Sequence, residues 1–293
     1  MDQAEQLRNI IKQQNQQRHI ARVVTVTSGK GGVGKTNIAV NLAIQFSNLG
    51  KRVIIMDADF GLANVEVMFG IRPKYNLADL IFKGKNLKDI ITMGPKNIGF
   101  ISGGSGIQEL SNLSRDQIIY LTQKLYELDE IADVIIIDTG AGIANSVLEF
   151  VAASNEILLV ATPEPTSITD AYALLKTLNK KADFDIKNTV VKMVANRVGS
   201  YEEGRELFDK LSIVVNKFLK IQVDFLGAVP QDALVTKAVM QQTPFSMAYP
   251  NSNAAKAVFE LATMLEGSPV REKQPKRGIA QLFTNLIRSK YRK

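Results

Sequence analysis

Short apolar runs alternate with amphipathic segments along most of the chain. The runs are continuous and rich in β-branched residues, a pattern typical of strands buried on both faces of a sheet. They cover residues 22–28, 52–57, 98–102, 133–138, 156–162, 189–196 and 223–230. The segments between them, such as SRDQIIYLTQKLYEL and AYALLKTLNKK, have the period of helices. This alternation predicts an α/β fold, with a doubly wound, mostly parallel sheet flanked by helices in a single domain and a site at the carboxyl ends of the strands.

A glycine-rich turn joins the first predicted strand to the helix that follows it. Residues 28–37 read SGKGGVGKTN, which satisfies the phosphate-loop pattern G-x-x-x-x-G-K-[ST]. In such a loop, backbone N–H groups and the helix N-terminus bind phosphate, Lys35 reaches the β- and γ-phosphates, and the Thr36 hydroxyl holds Mg²⁺. The predicted nucleotide-binding residues of the loop are Gly29, Lys30, Gly31, Gly32, Val33, Gly34, Lys35, Thr36 and Asn37. Lys30 is one lysine more than this pattern needs.

Acidic residues follow two of the predicted strands. Asp57 and Asp59 come just after the second strand, and Asp138 ends the strand VIIID. A phosphate-loop enzyme needs aspartates at these strand ends to organise Mg²⁺, so we expect Thr36, Asp57 and Asp138 at the metal. Asp59 is then placed to reach the water that attacks the γ-phosphate. The alternative is that Asp57 and Asp59 are a solvated strand end or a helix cap.

Two later strands end in residues that could contact the base. Asn196 carries an amide that matches the N6 and N7 edge of adenine, and Arg197 can stack on the ring. Pro230, which ends the last strand, and Asp232, which follows it in the segment AVPQDA, join the predicted nucleotide site. An asparagine that caps a loop is the alternative interpretation for Asn196.

Composition and charge limit the classes of function. The chain has 293 residues and no cysteine, which excludes disulfides, thiolate nucleophiles and cysteine-held clusters. Its net charge of +7 is carried entirely by residues 271–293, with eight basic side chains and one acidic one, so the preceding body is neutral. A neutral body makes nucleic acid an improbable partner. With no signal segment and no 18-residue apolar run, we expect a cytoplasmic protein, or one peripheral on the inner face of the cell membrane.

The motifs together resemble one family. GKGGVGKT, DADFGLAN, IIIDTGAG, ANR and VPQD, in this order, resemble the deviant Walker A ATPases, which include MinD and ParA, over about residues 22–266. The resemblance implies an ATPase with ATP or ADP and Mg²⁺, in which Lys30 crosses a homodimer interface onto the partner's ATP. It implies that Asp59 activates water and that Lys30 and Lys35 assist catalysis. It also implies that Asn64 is a switch residue and that Asp170 pairs with Lys30 at rest. The segment DTGAG departs from MinD, which has a proline in this turn.

The C-terminal segment predicts a membrane-targeting helix. Residues 267–278 form a basic linker with two prolines, and residues 279–293 follow it as a short amphipathic helix. Its basic residues cluster at the end, where they could meet anionic lipid headgroups. The predicted membrane-binding residues are Ile279, Leu282, Phe283, Leu286 and Ile287. We expect this helix to be sequestered or disordered in the monomer and available in the dimer; the alternative is a final helix packed on the core.

The N-terminal residues 1–21 predict a short helix ahead of the ATPase domain. Their sequence DQAEQLR resembles the activator motif of the FlhG group, also called YlxH or FleN, which are MinD-like ATPases that regulate flagellar number and placement. The resemblance implies that this helix engages the GTPase FlhF and stimulates it, and that flagellar C-ring proteins of the FliM, FliN and FliY type are further partners. The residues of the motif are Asp2, Gln3, Ala4, Leu7 and Arg8. A frayed extension without function is the alternative.

Four classes of function therefore stay open. The leading one is a membrane-cycling, ATP-hydrolysing regulator of the FlhG type. A MinD-like division-site ATPase and a ParA-like DNA-partitioning ATPase share the same nucleotide site, and an ATP-dependent metabolic ligase shares the related fold. Binding to liposomes or to DNA separates the regulator from the partitioning ATPase, and the ligase would need a substrate pocket beside the γ-phosphate.

Overall fold

The centre of the molecule is a sheet of eight strands in the order β3-β4-β2-β5-β1-β6-β7-β8, counted over the residues that the structure describes. The structure is a computed structural model and describes residues 19–59, 64–104, 114–267 and 278–291, with the backbone alone at 115, 116 and 287–291. The strands are β1 Arg22–Ser28, β2 Val53–Ala58, β3 Thr92–Met93, β4 Gly99–Ser102, β5 Val134–Ala141, β6 Glu156–Ala161, β7 Val190–Val198 and β8 Val223–Pro230. All pairs are parallel except β3 with β4.

Helices cover both faces of this sheet. They are α1 Lys35–Asn48, α2 Asn64–Phe69, α3 Leu77–Phe82, α4 Leu87–Ile90, α5 Arg115–Ile131, α6 Asn145–Ala153, α7 Pro165–Lys180, α8 Tyr201–Phe218, α9 Ala233–Met240, α10 Phe245–Ala248, α11 Asn253–Gly267 and α12 Ile279–Tyr291. Helices α1 and α11 pack on one face, where they bury alternate strand residues such as Val24 and Ile136. Helices α5, α6, α7, α8 and α12 cover the other face. Burial on both faces explains why the strands read as continuous apolar runs.

The predicted fold class is confirmed. The observed β1 and β8 have the predicted bounds, and the other predicted strands shift by one to three residues at one or both ends. The strand β3 was not predicted, because two residues with one exposed side chain give no periodic signal. Among the described residues, none of the helices is both long and apolar enough to span a bilayer.

The last helix, α12, lies in the core of the folded chain. Ile279, Leu282, Phe283 and Leu286 are each at most 2% exposed, in a groove between α5 and α6. The ring of Phe283 packs edge-on against Phe150, with 5.8 Å between the ring centroids. The helix is therefore sequestered in this structure, and binding of its apolar face to lipid would require it to undock. The side chain of Ile287 lies outside the described residues, as do residues 1–18 with the predicted N-terminal motif.

Candidate active site

The phosphate loop lies at the carboxyl end of the central strand β1. The chain leaves the strand at Ser28, whose hydroxyl donates to the Lys30 carbonyl oxygen at 2.7 Å, and enters α1 at Lys35. Gly34, with φ 93°, is the N-cap of that helix and has no side chain that could occupy the first N–H groups. Helix N-termini bind anions through such unpaired donors and the helix dipole. The loop therefore offers its own backbone donors to a phosphate group.

Gly29 fixes the position of this loop against α7. A Cβ at Gly29 would overlap the backbone of Asp170 and Ala171, so only glycine permits the close approach. On the other side of the loop, the Asn196 amide donates to the Val33 carbonyl oxygen at 2.7 Å. The loop is thus held between α7 and the end of β7 before any ligand binds.

Two buried carboxylates face the start of α1. Asp57 and Asp138 are register partners on the neighbouring strands β2 and β5. The Thr36 hydroxyl donates to Asp138 Oδ2 at 2.6 Å, whereas Oδ1 of Asp138 is buried without a hydrogen-bond partner. Asp57 accepts from the backbone N–H of Asp59 at 3.1 Å and of Val65 at 3.2 Å.

Burial makes these two carboxylates difficult to ionise. It raises the pKa of Asp57 to about 7, with a further contribution from the charge of Asp138. It raises the pKa of Asp138 to about 6, although the Lys35 charge and the Thr36 hydroxyl act in the opposite direction. A bound divalent cation would stabilise the ionised forms of both carboxylates. Mg²⁺ needs oxygen ligands, keeps several of its waters and uses one or two carboxylates. Thr36, Asp57 and Asp138, with the unpartnered oxygen of Asp138, fit this requirement.

Asp59 and Asn64 form a second unit beside the metal-binding residues. The Asn64 amide donates to Asp59 Oδ2 at 2.9 Å, so the carboxylate is oriented by a residue five positions later. A Cβ at Gly140 would lie 3.1 Å from Asp59 Oδ1, which shows that this strand end leaves room for the carboxylate. Residues 60–63, which link the two, lie outside the described part of the chain.

A cavity of about 350 Å³ adjoins the loop on the side of β7 and β8. Its apolar wall comes from α9 and α10, through side chains that the sequence analysis did not select. The lining residues are Gly34, Asn37, Ile38, Asn196, Arg197, Val229, Pro230, Gln231, Asp232, Val235, Thr236, Val239 and Phe245. A slot beside a phosphate loop that combines an apolar wall with polar groups fits a planar base. Oδ1 of Asn37 is buried there without a partner.

The ammonium of Lys30 is held away from the phosphate loop. It donates to Glu164 Oε2 at 2.6 Å and to Thr166 Oγ1 at 2.8 Å, both at the start of α7. The predicted pairing with Asp170 is wrong, because Asp170 sits one turn further along α7 and contributes its backbone, packed against Gly29. Glu164 and Thr166 were missed because the spacing of a motif cannot tell which of several polar side chains after β6 turns toward the loop.

Comparisons with known proteins agree with this geometry. A family model described as ParA: NUBPL iron-transfer P-loop NTPase matches residues 19–266. The antiactivator FleN of Pseudomonas aeruginosa is 43% identical over 86% of this chain and 89% of FleN. The flagellum site-determining protein YlxH of Helicobacter pylori is 31% identical over 91% of this chain and 90% of YlxH. The crystal structure of the Pyrococcus furiosus cell division ATPase MinD aligns with a TM-score of 0.66 and 25% identity, over 84% of this chain and 99% of MinD.

The chain belongs to the MinD/ParA family of P-loop ATPases, in the group of FleN and YlxH. The family predicted from the sequence is confirmed. As a MinD/ParA ATPase it hydrolyses ATP, and the residues around the loop divide the chemistry between them.

The phosphate end of this MinD/ParA site supplies positive charge. Lys35 is 7% exposed beside Asp138, so its ammonium is largely shielded from water and would act strongly on phosphate oxygens bound at the loop. Thr36, Asp57 and Asp138 would hold Mg²⁺, which supplies charge neutralisation for phosphoryl transfer when it is bound. Asp59, half-buried and fixed by Asn64, can orient the attacking water and accept its proton.

At the base end, the structure shows which contacts the predicted residues of this ATPase make within the chain. Asn196 uses one amide N–H to hold Val33, and Asp232 caps α9 by accepting from the N–H of Leu234 at 2.9 Å. Both lie beside the cavity and these contacts help to shape it, and their contact with the nucleotide stays a prediction. Arg197 is exposed, with φ 58°, at the rim of the same cavity. Stacking on a base remains within its reach.

Proposed function

We propose that this protein is an ATP-driven switch that forms a homodimer with ATP and regulates the number and placement of flagella. Its relatives FleN and YlxH carry the names antiactivator and flagellum site-determining protein, which supports this assignment. The observation that supports the dimer is the pairing of Lys30, a cation of the phosphate loop, with Glu164 and Thr166 outside the loop.

Lys30 is available to a second copy of the chain. Its side chain is 35% exposed at the lip of the loop, and its partner Glu164 is 54% exposed. An ion pair this exposed is weak and easily exchanged. A phosphate group presented by another protomer offers Lys30 a higher charge in a less hydrated contact. ATP then joins two subunits, and loss of the γ-phosphate releases them.

Light scattering of the purified protein tests the dimer. With ATP and Mg²⁺ the protein should shift from monomer to dimer, and Lys30→Ala should stay monomeric while it keeps its fold. Lys83→Ala is the matched control, because Lys83 is an exposed lysine that pairs with Asp79 of its own helix region. If Lys30→Ala dimerises as well as the parent, the trans role of Lys30 is wrong.

The released α12 is proposed to attach the dimer to an anionic membrane. Its apolar residues at spacings of three and four would give weak attachment singly, and two helices on one dimer would multiply it. Co-sedimentation with anionic liposomes should therefore require ATP, whereas DNA should not be shifted in a gel with either nucleotide. ATP-dependent DNA binding without liposome binding would favour the partitioning ATPase.

The N-terminal residues are proposed to stimulate FlhF, with flagellar C-ring proteins of the FliM, FliN and FliY type as further partners. A peptide of residues 1–20 carries the DQAEQLR motif and could order on its partner as it binds. It should accelerate GTP hydrolysis by FlhF without the ATPase domain, and a protein lacking these residues should hydrolyse ATP but stimulate nothing. Stimulation by the truncated protein would overturn this assignment.

A further inference from the structure

The docked helix α12 begins without a cap of its own. Gly278 precedes it, and its first turn contains no acidic residue. An isolated helix of 13 residues is marginal in water, more so with its first N–H groups unpaired. The order of α12 therefore depends on what the body of the protein offers to its N-terminus.

The body of the protein caps this N-terminus with one carboxylate on α5, that of Asp129. Asp129 Oδ1 accepts from the backbone N–H of Ile279 at 3.2 Å, and the N–H groups of Ala280 and Ala21 also favour its ionised form. A carboxylate at a helix N-terminus complements both the unpaired donors and the dipole. Asp129 thus caps α12 from outside and binds the chain at the start of β1 as well.

Gly278 makes this contact possible. A Cβ on Gly278 would overlap the carboxylate of Asp129, so a larger residue would displace the carboxylate from the helix start. Gly267 provides a matched comparison at the end of α11, because a Cβ there would meet nothing within 4 Å. The close approach is therefore specific to the residue that precedes α12.

The same contact buries Asp129 at 3% exposure. Burial raises the pKa of Asp129 to about 7, which the surrounding N–H groups and the charge of His19 only partly offset. His19 donates from Nδ1 to the Asp129 carbonyl oxygen at 2.9 Å, and its Nε2 lies 3.2 Å from Asp133 Oδ1. Asp133 is itself paired with Arg52 at 2.8 Å. The Tyr126 hydroxyl, one turn before Asp129, is buried without a hydrogen-bond partner.

We propose that Asp129 is the latch of the C-terminal helix: its carboxylate caps α12 from outside, and the cost of burying the negative charge keeps the docked helix poised for release. The inference concerns how α12 is held and not what it binds afterwards. It is therefore independent of the proposed membrane role, and each can fail without the other.

The direction of the pH effect follows from linkage. A solvated aspartate ionises near pH 4, whereas docked Asp129 has a pKa of about 7. The docked state therefore holds a proton that the released state has lost, so docking is strongest below about pH 4 and weakens as the pH rises toward about 7. Above that value both states are ionised and the dependence levels off. One proton changes the equilibrium by at most about tenfold per pH unit.

A single thiol can report release, because the chain contains no cysteine. Thr284 is 2% exposed on the docked face of α12, so Thr284→Cys becomes reactive toward a disulfide reagent only when the helix leaves. The full-length protein without nucleotide is labelled at several pH values. Each rate is divided by that of the urea-unfolded protein at the same pH, which removes the ionisation of the thiol itself. We expect this ratio to rise at least about fivefold between about pH 5.5 and 7.5.

Three further substitutions in the Thr284→Cys protein distinguish loss of the Asp129 cap from a general destabilisation of the fold. Gly278→Ala should raise the labelling ratio about tenfold or more at the lowest pH, and Gly267→Ala should not change it. Asp129→Asn keeps an oxygen acceptor without the charge, so it should label slowly with no pH dependence. The proposal is overturned if the parent ratio does not depend on pH, or if Asp129→Asn retains the dependence, which would assign it to another group. Equal effects of the two glycine substitutions would also overturn it.

Discussion

The N-termini of helices α1 and α12 differ in what satisfies their first N–H groups. The N-terminus of α1 has Gly34 at its cap, so its first N–H groups are available to bind the phosphate of a ligand. The N-terminus of α12 has Gly278 before it and is capped by Asp129, a carboxyl group that the protein carries itself. In both places glycine lets an oxygen acceptor approach a helix start, but only the first site can exchange that acceptor. The difference separates a ligand site from a latch, although the physical interaction is the same.

The largest expected effect comes from removing the cation of the open terminus. Lys35→Ala should weaken ATP binding at least about 100-fold, because Lys35 is the shielded charge beside the phosphates and its loss also leaves Asp138 less compensated. Isothermal titration calorimetry measures the affinity, and circular dichroism checks the fold. Lys83→Ala should bind ATP like the parent. An affinity within threefold of the parent would show that the backbone donors of α1 bind phosphate without the lysine.

Asp59→Ala should separate hydrolysis from binding at the same terminus. Asp59 is oriented by Asn64 and does not pair with Thr36, so its loss should slow ATP turnover at least about tenfold while ATP and Mg²⁺ still bind. The protein should then accumulate as a dimer. Phosphate release and light scattering measure the two effects, and Asn64→Ala should slow turnover less. Unchanged turnover in Asp59→Ala would make it a surface carboxylate.

How far the sequence predicted these two termini depends on whether their partners are local. The phosphate loop, Asp57 and Asp138 follow strands within recognisable motifs, so their roles could be predicted. The acidic partner of Lys30 could not be predicted, because Glu164 and Asp170 both follow β6 and only the fold decides which of them faces the loop. The pattern of α12 is amphipathic whether lipid or protein covers it. Asp129 lies 150 positions from Ile279, so no local signal connects them.

A smaller effect should appear in the pH dependence of metal binding. Asp57 and Asp138 have raised pKa values of about 7 and about 6, so in the free protein they are partly protonated near neutral pH. Mg²⁺ requires the ionised forms, so its ATP-linked binding should strengthen as the pH rises from about 5 to 7 and should release up to about one proton near pH 6. Calorimetry in buffers of different ionisation enthalpy counts that proton. Asp138→Asn should reduce the release, and an unchanged count would exclude Asp138 as its source.

The smallest expected effect concerns the pair that holds Lys30 at rest. Glu164→Gln removes the charge but keeps a hydrogen-bond acceptor, and the pair is too exposed to stabilise the monomer strongly. The ATP concentration that gives half-maximal dimer should therefore fall only by roughly two- to fivefold. Light scattering across an ATP series measures this concentration. Glu127→Gln is the control, because Glu127 forms a pair of similar length and exposure with Lys124 away from the loop. A higher ATP requirement in Glu164→Gln would mean that Glu164 helps to form the dimer and does not restrain Lys30.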